Sequence, residues 1–374
     1  MQRAVPAVDR TRRFAGSDLI SCEWTNGTGL PLWLGWKRTD KNKLASRQCL
    51  DGQSLWLLAG LASRMAQAME MHREQSLGRL PPFEAELRRR LWWHIVTLEQ
   101  ESAIIHGTKV ETTWVDSDTK RPLNLSDSAL SPYMREIPFE HEGPTEMLFC
   151  RIRFEVGECI RQVRKMERAR RMSPSVPLAQ VEQTVNEFEH RLDEHLLRRC
   201  DGSIPLHLLA TSMGHSAICS MRLSIRQHPN VAGKTKGASK VSDLDTRQLF
   251  QLALKILEYD NMAYSTNSLQ PFMWHVATNL PFQAIIYILK NLLHSVQGSE
   301  VDQAWAAIDQ IYRNRPGLVE DAKPLNRTIG NLFLKAWDQT VGVADSQLLA
   351  SEYPAASDAV IRLRARIQQA ERVG

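Results

Sequence analysis

"FEAELRRRLWWHIVTLEQESAIIHG", residues 83–107, sets three consecutive arginines against two adjacent tryptophans, and how it is read decides the fold. Pro82 is an allowed first-turn proline, Glu84 and Glu86 lie near the positive end of a helix, and Gly107 fits a helix stop. Between them Leu87, Leu91, Ile95, Leu98 and Ile105 recur at helical spacing, which predicts one long amphipathic helix. Trp92 joins that stripe, and Trp93 falls near its edge with Arg89, Arg90 and Thr97 as neighbours. Arg88, Arg89, Arg90, Trp92 and Trp93 could serve a nucleic-acid surface, a sugar platform or the seam of a helical core. A stacking platform needs its aromatics exposed beside the cations. Indoles buried under guanidinium groups are instead packing at the rim of a core, with cation–π contacts contributing ~0.5–2 kcal/mol. The cluster is therefore read as architectural, pinning helices together and ordering the loop that follows. Half-buried guanidiniums need acids. Glu84, Glu86 and Glu99 are the local candidates, and Asp116 and Asp118 of "WVDSD" the distant ones.

Working outward, Leu55, Leu58, Ala62, Met65 and Met69 put a second helix face before the turn "EQSLGRLPP". Residues 107–142 are rich in Thr, Asp, Asn, Ser and Pro and show no sustained period. Helical spacing resumes over 144–171, 177–199, 205–227, 244–264, 271–296, 300–312, 317–340 and 355–372, with Pro281 expected to kink or split its segment. Strand-like alternation is nearly absent and no repeat is visible, so the expected fold class is all-α, a large multi-helix bundle. The expected organisation is an irregular extension over 1–52, a helical domain over 53–340 with a flexible linker near 230–243, and a helical tail over 341–374.

The composition excludes several classes. A 374-residue chain with 43% hydrophobic and 24% charged residues is that of a globular protein, and a net charge of +5 supplies no dedicated polyanion surface. No apolar run reaches 18 residues, and residues 1–36 lack the apolar run of a secretory signal, so a non-membrane, intracellular protein is expected. Cys22, Cys49, Cys150, Cys159, Cys200 and Cys219 form no C-x-x-C pair and read as free thiols in a reducing compartment.

No catalytic constellation emerges. "GKTKG" at Gly233 lacks the glycine that a phosphate loop needs where His228 stands. His190 and Glu194 share a helix face but belong to no H-E-x-x-H pattern, and "GHSAICS" at Gly214 fails the nucleophile-elbow spacing. Arg161, Arg164, Lys165 and Arg168 make a basic stripe with Glu155, Glu158 and Glu167 interspersed, the pattern of a solvated helix laced with ion pairs, and Arg362, Arg364 and Arg366 read the same way. No catalytic, cofactor-binding or metal-ligating residue is expected.

The opening stretch and its flanks resemble the middle homology region of fungal zinc-cluster transcription factors. In that family a helix reading approximately "LG-A-RMAQ-LGLHRD" precedes "FE-E-RRRLWW-I-LD---S---G-P" and an acidic, proline-bearing loop. Here these parts stand as "LAGLASRMAQAMEMHRE" from Leu58, the quoted stretch from Phe83, and "WVDSDTKRPLNLSDSAL" from Trp114, with "NLPFQAIIYILKNLL" and "FLKAWD" resembling later helices. The motif positions are Arg88, Arg89, Arg90, Trp92, Trp93, Glu99, Gly107, Asp116, Asp118 and Pro122. Glu99 stands for the family's aspartate and Glu70 for the glycine of "LGLHRD".

The resemblance implies an all-helical regulatory domain of a nuclear transcriptional regulator, not an enzyme, controlling a secondary-metabolite biosynthetic gene cluster. In the family DNA contact belongs to a six-cysteine zinc cluster. Before Gln53 this sequence has only Cys22 and Cys49, so no zinc is expected here and DNA contact is expected only indirectly or through a missing domain. The implied partners are proteins (a full-length factor, a second copy of this chain or a coactivator), with no membrane and with a small-molecule effector as a further candidate. The alternative is a sensing or partner-binding helical module that does not touch DNA.

Overall fold

The computed structural model describes residues 52–108, 117–172, 176–227, 243–277, 279–294, 298–320, 324–346 and 358–373. Among them are thirteen α-helices and no strand. The first three are α1 Gly52–Ala68, the one-turn α2 Glu74–Leu77 inside the "EQSLGRLPP" connection, and α3 Pro82–His106. A long loop with one 3-10 turn, Asp127–Ala129, leads to α4 Leu148–Met172. Next come α5 Leu178–Leu192, continued by a π turn Asp193–Leu197, α6 Pro205–Gln227 and α7 Asp243–Ser265. A 3-10 turn Asn267–Phe272, α8 Met273–Val276 and α9 Phe282–Leu292 follow, so the 271–296 segment is divided, with Pro281 standing immediately before α9. The last four are α10 Ser299–Asn314, α11 Gly317–Glu320, α12 Pro324–Ser346 and α13 Asp358–Val373. The expected linker at 230–243 lies outside the described residues but for Asp243, and residues 1–51 lie outside them altogether.

Packing runs stepwise along the chain. α1 lies on α3, α3 touches α4, and α4, α5 and α6 pack together. α6 meets α7, which with α9, α10, α12 and α13 encloses the largest apolar cluster, around Leu257, Ile285, Ile308, Phe333 and Val360. A second cluster, with Ile152, Val185, Phe188 and Ile218, fills the middle. A third joins Ala66, Met71, Trp92, Trp93 and Val96 to Met147 and Phe154. Where α3 crosses α4, Gly157 admits the Gln100 side chain, whose Nε2 donates to the Gly157 carbonyl at 3.1 Å.

The structure corrects both apolar stripes. On α3, Leu87, Leu91, Ile95 and Leu98 are only half-buried and Ile105 is exposed, while Glu86, Arg89, Trp92, Trp93, Val96, Thr97, Gln100 and Ala103 face inward. On α1, Leu55, Ala59, Ser63 and Ala66 are buried, while Leu58, Met65 and Met69 point out. Small residues occupy the α1–α3 contact because the two backbones run close, and polar groups enter the α3 interior because each finds a partner there.

Candidate functional site

Trp92 and Trp93 are 1% and 5% exposed, so both indoles are interior, Trp93 included. A buried indole N–H needs an acceptor. Trp92 Nε1 donates to Ser117 Oγ at 3.0 Å, and Trp93 Nε1 to the Lys120 carbonyl at 2.9 Å. Both acceptors lie on the loop after α3. The rings pack sideways against His72 and Phe154 respectively, with centroids 5.9 and 5.6 Å apart.

The arginines divide the rest of the work. Arg88 makes a helix-surface pair with Glu84 at 2.6 Å, one turn away. Arg89 is buried and forks onto Glu74 of α2, its Nε donating to both carboxylate oxygens at 3.1 and 3.2 Å. Arg90 donates from Nε to Glu86 at 3.2 Å, from Nη1 to Asp127 at 2.7 Å and from Nη2 to the Leu125 carbonyl at 3.2 Å. Glu86 is 0% exposed and also accepts the Leu123 amide at 3.0 Å. Its other oxygen lies 3.7 Å from Arg89 Nη1, too far for a hydrogen bond. Pro122, buried, leads the chain into that Leu123 contact.

Asp118 takes no arginine. Its Oδ1 accepts the Glu74 amide at 2.7 Å, capping α2 from a distance of 44 residues along the chain. Thr119 Oγ1 donates to the Met71 carbonyl at 2.7 Å, and the Lys120 amide to Glu74 at 2.9 Å. Residues 117–127 are thus stitched to α2 and α3 by side chains. Gly107, at φ +75°, ends α3, with its amide on the Ile104 carbonyl and that of Thr108 on the Ala103 carbonyl. Glu99 is half-buried and lies about 13 Å beyond Arg90 along the axis, at 1.5 Å per residue. Asp116 lies outside the described residues.

The environment tunes the charges. Burial pushes the Glu74 carboxyl up, but the Arg89 and Lys120 hydrogen bonds together outweigh it and hold that group below its ordinary range. In Glu86 burial wins over Arg90, the Leu123 amide and Arg89, and the carboxyl sits above its ordinary range. His94, on α3 beside Phe154, is lowered to about 4 by burial and by the positive Arg153 and Arg90. Burial raises the Cys150 thiol on α4.

Sequence reasoning found the arginines and tryptophans but missed Glu74, Asp127, Ser117 and Lys120. Glu74 was visible as the acid closing "MEMHRE", aligned with the family's aspartate in "LGLHRD"; the other three sit in a loop with no period to place them. Glu70, where the family has glycine, has φ +55°, the left-handed conformation that explains the glycine; Ser76 Oγ donates to its carboxylate at 2.7 Å.

Elsewhere the chemistry is sparse. Among the described residues no cluster of His, Cys, Asp and Glu has the geometry to hold a metal, and no helix is long and apolar enough to cross a membrane. Cys150, Cys159, Cys200 and Cys219 are free thiols. In the basic stripe Arg161 pairs with Glu158 at 2.9 Å, and at the C-terminal end Arg362 pairs with Asp358 and Arg364 with Asp338. An open cleft of about 520 Å³ lies between Tyr264, Met273, Asn314 and Arg315, far along the chain from the arginine–tryptophan seam. Arg315 stacks 4.4 Å over Tyr264 and is neutralised by Asp260, burial raising the Asp260 carboxyl ahead of the Arg315 bonds that lower it. Met65 and Met69 face outward and line neither this cleft nor a smaller one beside Asn124 and His195.

Residues 44–142 match the family description "Fungal specific transcription factor domain". The chain is similar to the aurofusarin cluster transcription factor of Gibberella zeae, with 38% identity over 80% of this chain and 44% of the relative. It is also similar to a transcriptional regulator of Aspergillus aculeatus, 26% identical over 85% of this chain and 44% of the relative. A pyriculol/pyriculariol biosynthesis cluster transcription factor of Pyricularia oryzae is 26% identical over 78% of this chain and 40% of the relative. The chain thus spans less than half the length of these relatives. No solved structure matches it.

Proposed function

The chain belongs, by its fungal-specific transcription factor domain, to the fungal zinc-cluster transcription factors, and on that premise we propose that it is the regulatory part of a nuclear transcriptional regulator. It acts through protein partners and controls the genes of a secondary-metabolite cluster. What supports the last step is that two of the relatives are named for such clusters, aurofusarin and pyriculol. The observation that carries the reading is the inward-turned seam. Arg89 and Arg90 are committed to Glu74, Glu86, Asp127 and the Leu125 carbonyl, which leaves them no free donor fork for phosphate. The region is a scaffold and not a polyanion-binding or catalytic surface, and the motif positions Arg88, Arg89, Arg90, Trp92, Trp93, Glu99, Gly107, Asp118 and Pro122 are structural in role.

Two measurements test this. Disrupting the gene in its host is expected to lower transcripts of a neighbouring biosynthetic gene cluster severalfold, and tagged protein purified from nuclei is expected to bring transcription components with it. Unchanged transcripts together with a preparation free of transcription components would sink the reading.

A further inference from the structure

The ion pairs along α4 leave some of its cations over. Glu155 is taken by Arg121, Glu158 by Arg161 at 2.9 Å and Glu167 by Arg170 at 3.2 Å. The side chains of Arg164, Lys165 and Arg168 have no ion pair and no hydrogen bond among the described residues. The stripe expected to be laced with ion pairs is therefore only partly so. The neighbouring helix does not complete it, because Glu182 and Glu189 of α5 hold Arg226 and Arg222 of α6, and Glu187 accepts Gln183 Nε2 at 2.9 Å.

Lys165 and Arg168 are exposed, but Arg164 is half-buried. Burial, followed by the neighbouring Arg168, holds the Arg164 guanidinium below its ordinary range. A cation drawn out of water normally has an acid beside it, and like charges one turn apart destabilise a helix. The helix dipole favours cations only over the last turn, and Arg164 stands about two turns before Met172, so the dipole does not account for it. At about 100° per residue Arg164, Lys165, Arg168 and Met172 share an arc of about 100°, and Glu167 lies outside it. Met172 in that arc is 91% exposed. α5 returns along α4, with Thr184 Oγ1 donating to Met166 Sδ at 3.4 Å, which brings the exposed Leu178 at its start back toward Met172.

We propose that this face of α4 receives an acidic segment of a partner protein, its carboxylates paired with Arg164, Lys165 and Arg168 and an apolar side chain of the segment laid on Met172. Charge selects the occupant, since an arc of cations without acids is complementary to carboxylates. Size selects a peptide over a duplex. Three free cations neutralise at most three phosphates, whereas proteins held on DNA by charge use roughly 6–10. From Arg164 to Met172 the face runs about 12 Å, the reach of about four extended residues. The surface serves the protein partners proposed above and rests on that reading for its setting, but purified chain and peptide measure it without reference to transcripts, so either can fail while the other stands.

Fluorescence anisotropy of a labelled peptide of glutamates with interspersed leucines tests it, titrated with the full chain from about 1 μM to about 1 mM, the range of weak contacts. The expected result is saturable binding that Arg164→Gln weakens about fivefold and the exposed pair Lys165→Glu with Arg168→Glu at least tenfold. Arg198→Glu, which reverses a cation already paired with Glu194 on the exposed end of α5, should change it less than about twofold. Arg164→Gln relieves a desolvated, unpaired charge, so its chain should melt no lower than the wild type. No binding at the top of the range overturns the proposal, as does an equal loss in Arg198→Glu, which would mean attraction by net charge alone. Tighter binding of a short DNA duplex, sensitive to the same residues, overturns the choice of a peptide. An Arg164→Gln chain that melts several degrees lower also overturns it, because an acid of its own chain would then hold that arginine.

Discussion

Ile308 and Trp92 are equally hidden from water, but what surrounds them differs in kind. Ile308 sits in the large cluster closed by α7, α9, α10, α12 and α13, where its neighbours are held by apolar contact and the buried Trp305 indole N–H has no hydrogen-bond partner among the described residues. Trp92 sits where α2, α3 and the loop from Ser117 to Asp127 meet, and beside its small apolar cluster the junction is held by polar groups with specific partners. The apolar cluster degrades gradually, since losing a methyl group costs only its transfer and a small cavity. The seam is less forgiving, because removing one member strands the others in a medium that cannot hydrate them.

Single substitutions can break that contrast, and the largest effect is expected at Glu86. Glu86→Ala strands the Leu123 amide and takes a carboxylate from both Arg89 and Arg90, and should cost about 3–5 kcal/mol. Ile308→Ala should cost about 2–5 kcal/mol through its cavity, within the range of ordinary core truncations. The two separate on repair. A leucine at 308 should recover most of the loss, whereas an equally large leucine at 86 should recover little, in chemical denaturation of each variant.

The pH dependence sharpens the comparison next. His94, lowered to about 4 from an ordinary 6.5, takes up no proton in the folded chain over a range where the unfolded chain does. Its contribution to stability is complete above pH 6.5 and declines as the pH falls to about 4, by roughly 3 kcal/mol from a shift of this size. Melting curves of His94→Gln should lose that part of the acid sensitivity, while Ile308→Val should keep it. Glu74, held low, works in the same direction, its stabilisation vanishing as pH drops below the ordinary carboxylate range. Glu86, raised by burial, has the opposite sign, giving up stability as pH rises through its folded value.

The smallest effect expected is a gain. Glu70→Gly removes the steric cost of φ +55° but loses the Ser76 contact and adds unfolded-state freedom, so a net gain of about 0.5–1 kcal/mol in thermal unfolding is expected.

These residues also mark how far the sequence could be read. The helices were legible from period, caps and prolines, down to the break at Pro281 and the left-handed stop at Gly107. Which face of α3 turns inward was not, since counting apolar residues selects Leu87, Leu91 and Ile95 when the interior holds Glu86, Arg89 and Gln100. Burial of such groups depends on partners 15 to 57 residues away, Glu74 for Arg89 and Gly157 for Gln100, and no local spacing records them. The same error misplaced Leu58, Met65 and Met69, because a contact that needs close backbones selects Ala59, Ser63 and Ala66 over larger side chains. Identical apolar residues can thus stand in a core or on an outer face, and only the packed neighbour distinguishes them.

The central claim is that the seam's guanidiniums brace an interior. Chemical unfolding of Arg89→Ala measures that most directly, since Arg89 links α3 to Glu74 and to the edge of Glu86. Bracing predicts a loss of about 3 kcal/mol, because Glu74 loses its guanidinium and the buried Glu86 keeps only Arg90 as its cation. A loss below about 0.5 kcal/mol, the ordinary yield of an exposed ion pair, would contradict the account.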